Sequence, residues 1–131
     1  MAIHKPGIGD YADRLTVLLL KLEKTLSGHV LDEAKHKSVT LWLEELHECT
    51  KGAVSVPVDH IFRLSRINRT IWQNEDLVRE WIRGEIPADK DVPFQREREI
   101  TLLTTKTTKL NDERASIVAL LNGVADKVGR T

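Results

Sequence analysis

The chain has 131 residues, of which 40% are hydrophobic and 31% are charged. This length suits one domain, and the apolar fraction exceeds that of a disordered chain. The 20 basic residues balance 20 acidic ones, and the closely spaced arginines Arg63, Arg66 and Arg69 form only a modest stripe on a helix. A balanced surface does not attract a polyanion, so we do not expect nucleic acid as a partner.

Cysteine usage and hydropathy indicate a soluble cytoplasmic protein. Cys49 is the single cysteine, so no internal disulfide can form and an oxidising compartment is not indicated. The first ten residues lack the apolar run of a signal peptide. The apolar run Val17 to Leu20, like the other apolar runs of the sequence, is too short to cross a membrane. We therefore expect no membrane partner.

Prolines and glycines divide the chain into four amphipathic segments. The first helix is predicted over residues 10–27, where apolar residues follow three- and four-residue steps until Gly28 ends it. The second is predicted over residues 31–50. Its apolar face contains Leu31, Val39, Trp42, Leu46 and Cys49.

The third and fourth helices are predicted to be longer. The third covers residues 57–84 and starts at Pro57, a favourable first-turn residue. The fourth covers residues 93–122, and its periodicity continues through a threonine-rich stretch of lower helix propensity. Four such helices joined by short loops predict a single all-α domain over residues 1–131, an antiparallel four-helix bundle. The long apolar stripes also suit self-association, so a homo-oligomer, specifically a dimer, is expected.

Polar residues on or near the apolar faces are the candidate site residues. They are Asn68, Trp72, Glu75 and Arg79 on the third helix and Asn111 and Arg114 on the fourth. Because a lone buried charge is costly, we predict that Arg114 pairs with Glu75 and that Arg79 and Asn68 complete the network. Such a network either fixes helix register or forms a ligand pocket in the middle of the bundle.

Metal-binding spacings occur in the second helix but lie on the wrong face. Glu33–His36 and Glu44–His47 match the Glu-x-x-His spacing of di-iron bundles. Both pairs lie opposite the apolar face and stand about 16 Å apart, so no metal ligand is predicted. The run from Glu44 to Glu48 also resembles the Glu-Glu-x-x-Glu motif of all-α nucleoside triphosphate pyrophosphohydrolases. Glu44 and Glu48 are predicted to point outward, which does not suit a Mg²⁺ cleft.

Three stretches together resemble a known type of protein. They are Gly9 to Val17, Asn68 to Asp76 followed by Arg79, and Leu110 to Arg114. In this order they resemble small bacterial helical proteins classed as domains of unknown function, which tend to be encoded near glycosyltransferase and surface-polysaccharide genes. The resemblance covers about half of the chain and implies no particular activity. It implies a polar group that acts together: Trp72, Glu75, Asp76, Arg79, Asn111, Asp112 and Arg114.

Two function classes follow from these patterns. The first is a non-catalytic accessory or interaction module in which the polar cluster is structural. The second is a protein or enzyme that binds a small anionic ligand resembling a nucleotide or sugar nucleotide. In that case Arg79 and Arg114 would hold the anion, and Glu75 or Asp112 would orient a hydroxyl group or act as a general base. No cofactor is predicted for either class.

Overall fold

A computed structural model of the chain contains four helices, α1 (Ile8–Leu26), α2 (Glu33–Gly52), α3 (Val58–Arg83) and α4 (Gln95–Gly129). The structure describes residues 6–27 and 32–129, with side chains as far as residue 123. Every regular element in these ranges is an α-helix, which confirms the predicted all-α class. None of the described helices combines the length and the apolar character that a membrane-spanning segment requires.

Most helix ends lie within two residues of their predicted positions. The predicted start of the second helix at Leu31 lies outside the described residues. Helix α3 ends beside the glycine that was predicted to terminate it, because Gly84 adopts the left-handed conformation with φ 73°. The Glu85 N–H then donates to the Glu80 carbonyl at 2.9 Å, as in a Schellman motif.

The end of the fourth helix was predicted wrongly. It was expected to stop before Gly123, but α4 continues to Gly129. A glycine inside a helix costs only about 1 kcal/mol relative to alanine, and an otherwise helical segment tolerates it. The preceding Asn122 contacts α1, because its Oδ1 accepts a hydrogen bond from the Gly9 N–H at 2.7 Å.

Helix α1 lies at the centre of the bundle. It packs against each of the other three helices, whereas α2 contacts α1 alone among the described helices. Gly9 lies beside Asn122 and Asp13 beside Arg114, so α1 and α4 run antiparallel. Helices α3 and α4 form a long hairpin through residues 84–94. The antiparallel four-helix bundle is thereby confirmed.

The central position of α1 gives it two buried faces. One face enters the main core through Ala12. The fully buried Leu18 lies at helical spacing between Arg14 and Lys21, which contact Glu45 and Trp42 of α2. The apolar spacing in the sequence predicted a single stripe on this helix. The main core consists of Ala12, Ala53, Val56, Leu64, Ile67, Ile71, Ile117 and Leu121.

A bidentate ion pair fastens α2 to α1. Arg14 Nε and Nη2 donate to the two carboxylate oxygens of Glu45 at 2.6 and 3.1 Å. The hydrogen bond from Arg14 lowers the pKa of Glu45 below its ordinary value of 4.5. A carboxylate with a lowered pKa in the folded state stabilises the fold at neutral pH, and this contribution disappears as the pH falls through the lowered pKa.

Replacing Glu45 with glutamine is therefore expected to lower stability at pH 7 and to lower it by less at pH 3, where the carboxylate is largely protonated in the unfolded chain. Because both side chains are partly exposed, we expect a loss of only about 0.5 kcal/mol at pH 7. Chemical denaturation at both pH values measures this loss in free energy of unfolding. Glu44→Gln, at an exposed neighbouring residue, is the matched control. Equal losses from the two variants at pH 7 would contradict a specific Arg14–Glu45 contribution.

Candidate functional site

Four polar residues from three helices, with Asp13 at the centre, form a hydrogen-bonded cluster. The Arg114 Nε donates to both carboxylate oxygens of Asp13 at 2.8 and 2.9 Å, and Arg114 Nη2 donates to Oδ2 at 2.6 Å. The Asn68 Nδ2 donates to Asp13 Oδ1 at 2.9 Å and to Thr16 Oγ1 at 2.8 Å. The Thr16 hydroxyl in turn donates to the Asp13 carbonyl at 2.7 Å. We call these four residues the Asp13 cluster.

The Asp13 cluster is largely shielded from solvent. Asn68 and Thr16 are buried, and the side chains of Asp13 and Arg114 are 16% and 32% exposed. In such surroundings charge-assisted hydrogen bonds are strong, and an unpaired member is costly. Since α1, α3 and α4 each contribute to the cluster, it fixes the register of the three helices that form the main core.

The cluster differs from the predicted network in its acidic member. Asn68 and Arg114 do come together, but Asp13 of α1 joins them. The predicted pairing of Arg114 with Glu75 is wrong. Glu75 lies seven residues beyond Asn68, about 10 Å along α3, and it is exposed. Helix α1 brings a carboxylate to Arg114 directly.

The remaining candidates on α3 form a separate group. Arg79 pairs with Asp76 one turn earlier on the same helix, and Trp72 is half-buried. Glu75 and Arg79 line an open cleft of about 290 Å³ together with Val78, Thr104, Thr107 and Thr108. These residues are therefore neighbours of one another but lie outside the Asp13 cluster.

The two additional candidates on α4 are at the surface. Asn111 and Asp112 are exposed, and neither side chain hydrogen-bonds to another residue that the structure describes. A ligand-binding role for them stays a prediction.

Asp13 and Thr16 were missed as site residues. At helical spacing they share a face with Gly9 and Ala12, and this face of small residues was a usable signal. Asp13 also lies within the first stretch of the family resemblance. Only one apolar stripe was predicted for the first helix. Because this helix packs on two faces, it also buries the polar groups that lie between those faces.

The described residues offer no obvious metal site. Among them, no three His, Cys, Asp or Glu side chains are grouped so as to hold a metal ion. The Glu33–His36 and Glu44–His47 pairs are exposed on α2, as predicted. Cys49 is buried, and desolvation raises the pKa of its thiol, which disfavours the reactive thiolate.

The end of the connection between α3 and α4 and the first turns of α4 expose a set of apolar side chains, which we call the tip patch: Val92, Phe94 and Leu102. Val92 and Leu102 line a depression of about 420 Å³ together with Gln95, Arg98 and Glu99. Phe94 directly precedes α4, and its carbonyl accepts the Arg98 N–H at 3.0 Å. Its side chain is 76% exposed.

The backbone of Phe94 is strained. Its φ is 54°, in the left-handed region that bulky L-residues rarely adopt. Such conformations cost about 1–3 kcal/mol and are often found at functional positions. Phe94 therefore combines an exposed aromatic ring with an unfavourable backbone conformation.

Comparison with protein-family models, curated proteins and solved structures finds no match to the chain.

Proposed function

We propose that this protein is a non-catalytic interaction module that self-associates through the tip patch. The observation that carries the proposal is the strained and exposed Phe94 beside an open depression. Burial of a phenyl ring against a partner stabilises a complex by a few kcal/mol. That gain would offset the free-energy cost of an exposed ring and of a strained backbone at Phe94.

The state of the Asp13 cluster supports a non-catalytic role. The guanidinium of Arg114 makes three hydrogen bonds to Asp13, and the Asn68 amide is bound to Asp13 and Thr16. Polar groups that satisfy one another inside a bundle suit a structural role. An anion bound at Arg114 would have to share the guanidinium with the carboxylate of Asp13, which lies 2.6–2.9 Å from its nitrogens.

The chemistry of the tip patch favours a second copy of this chain as the partner. Phe94 is exposed, and in the sequence it lies between Val92 and Gln95, which both line the depression. In a two-fold symmetric pair, each ring could enter the depression of the other copy. Arg98 and Glu99 border that depression with opposite charges, so the rim is complementary to itself.

The test is the oligomeric state of wild-type protein and of Phe94→Gly. We expect a wild-type dimer with twice the 14.9 kDa mass of the chain, measured by analytical ultracentrifugation. Loss of a central aromatic anchor is expected to weaken association about 30-fold, corresponding to about 2 kcal/mol. Glycine accepts a positive φ, so the variant should unfold at the same or a higher temperature than wild type.

The matched control is Phe62→Ala. Phe62 lies on α3 and is also strongly exposed, at 66%, but it is outside the tip patch. Its replacement removes a similar apolar area and is expected to leave the dimer intact. A monomeric wild-type protein, or a dimer that survives Phe94→Gly unchanged, would contradict the proposal.

A further inference from the structure

Another open groove lies between α3 and α4, apart from both the cleft beside Arg79 and the tip patch. Its volume is about 320 Å³. The groove is lined by Arg63, Arg66, Ile67 and Thr70 from α3 and by Leu110 and Glu113 from α4. Asn68 and Arg114, which face α1, are not among the lining residues, so the groove is separate from the Asp13 cluster.

The groove carries excess positive charge. Arg66 forms no ion pair with any residue that the structure describes, and Arg63 approaches Glu113 only to 3.5 Å. By contrast, the pairs of Arg14, Arg69 and Arg114 with their carboxylates all close to 2.6 Å. The groove thus holds two guanidiniums but one carboxylate, which contacts Arg63 alone, and each guanidinium retains N–H donors for another acceptor.

A further cation lies along the same face of α4. Lys106 precedes Glu113 by seven residues, so its side chain lies two helical turns away on the same side. It is exposed and has no ion pair with any other described residue. The positive field of the groove therefore extends beyond its lining arginines.

The floor of the groove is apolar. Ile67 is buried in the main core, and Leu110 packs against that core while still lining the groove. A ligand that fits this surface combines an anionic group with an apolar group. Two arginines match a dianion, because a carboxylate needs only one guanidinium for bidentate binding whereas a phosphate has oxygens for both.

We propose that this groove binds a phosphate monoester of an apolar or aromatic group. The phosphate lies between Arg63 and Arg66, and the apolar group rests on Ile67 and Leu110. Glu113 competes with the phosphate for Arg63. This inference does not depend on self-association through the tip patch, since the two surfaces share no residue.

Phenyl phosphate is the probe, with benzoate and inorganic phosphate as comparisons, and isothermal titration calorimetry measures the dissociation constants. We expect phenyl phosphate to bind about tenfold more tightly than either comparison anion. Arg66→Gln is expected to weaken its binding about tenfold. Glu113→Gln is expected to strengthen it several-fold, because Arg63 loses its competing carboxylate.

Arg69→Gln is the matched control for Arg66→Gln. It removes the same charge from the next turn of α3, but Arg69 is bound to Glu23 and lies outside the groove. The dissociation constant is expected to stay within about twofold of the wild-type value. Equal weakening by Arg66→Gln and Arg69→Gln would overturn the proposal, as would equally tight binding of benzoate. The absence of saturable phenyl phosphate binding up to about 10 mM would also overturn it.

Discussion

Replacing Arg114 with alanine is expected to lower the free energy of unfolding by about 3–5 kcal/mol. The variant leaves the carboxylate of Asp13, which is only 16% exposed, without its cation. Asn68 still donates to that carboxylate, but one neutral amide does not offset the desolvation of a charge. Since whole domains are stable by only about 5–15 kcal/mol, chemical denaturation will show the loss as a large shift of the transition.

A double-mutant cycle separates the ion pair from other effects of the substitution. The double variant Asp13→Ala, Arg114→Ala should lose at least about 1 kcal/mol less free energy of unfolding than the two single variants added together. The reason is that it leaves neither charge unpaired. Arg79→Ala is the control, since the exposed pair with Asp76 should contribute less than about 0.5 kcal/mol. A loss below about 1 kcal/mol for Arg114→Ala would contradict the structural role and favour anion binding at this residue.

The sequence was sufficient to predict the helices because each has a local signal. Apolar periodicity identified four segments, and Gly84 marked the end of α3 at its left-handed position. Leu18 and Leu64, which follow the three- and four-residue apolar spacing of their helices, are fully buried. These features depend on propensity and helical spacing, which a single sequence contains.

The site was only partly predictable because spacing identifies a face but not the neighbour that covers it. Asn68 and Arg114 were correctly placed on inner faces, yet the choice of Glu75 as partner assumed that α3 and α4 face each other alone. The central position of α1 brings Asp13 to Arg114 instead. The face of small residues on the first helix indicates a second packing surface, but it does not specify which helices cover it.

The tip patch was not predicted for a different reason. The left-handed conformation of Phe94 is opposed by its own side chain, so local preference argues against it. Phe94 adopts this conformation at the last position of the connection before α4. Strained positions are where local sequence preference and tertiary structure disagree, and such positions are frequently functional.

The second large effect is expected from Gly9→Ala, at the contact of α1 with α4. A Cβ atom at Gly9 would lie 2.3 Å from the Val118 carbonyl oxygen and 3.0 Å from the Asn122 Oδ1. The first obstacle is backbone and cannot rotate away, so the two helices must separate. We expect a loss of about 2–3 kcal/mol, at the upper end of the range for overpacking, measured by thermal and chemical unfolding.

Gly123→Ala provides a control of opposite sign. Both glycines are helical, and alanine has the higher helix propensity at either position by about 1 kcal/mol. No atom lies within 4 Å of a Cβ at Gly123, so this variant should be more stable than wild type. If Gly9→Ala were also stabilising, the close approach of α1 to α4 would be wrong. Destabilisation by Gly9→Ala alone would show that steric contact between helices, rather than helix propensity, requires glycine there.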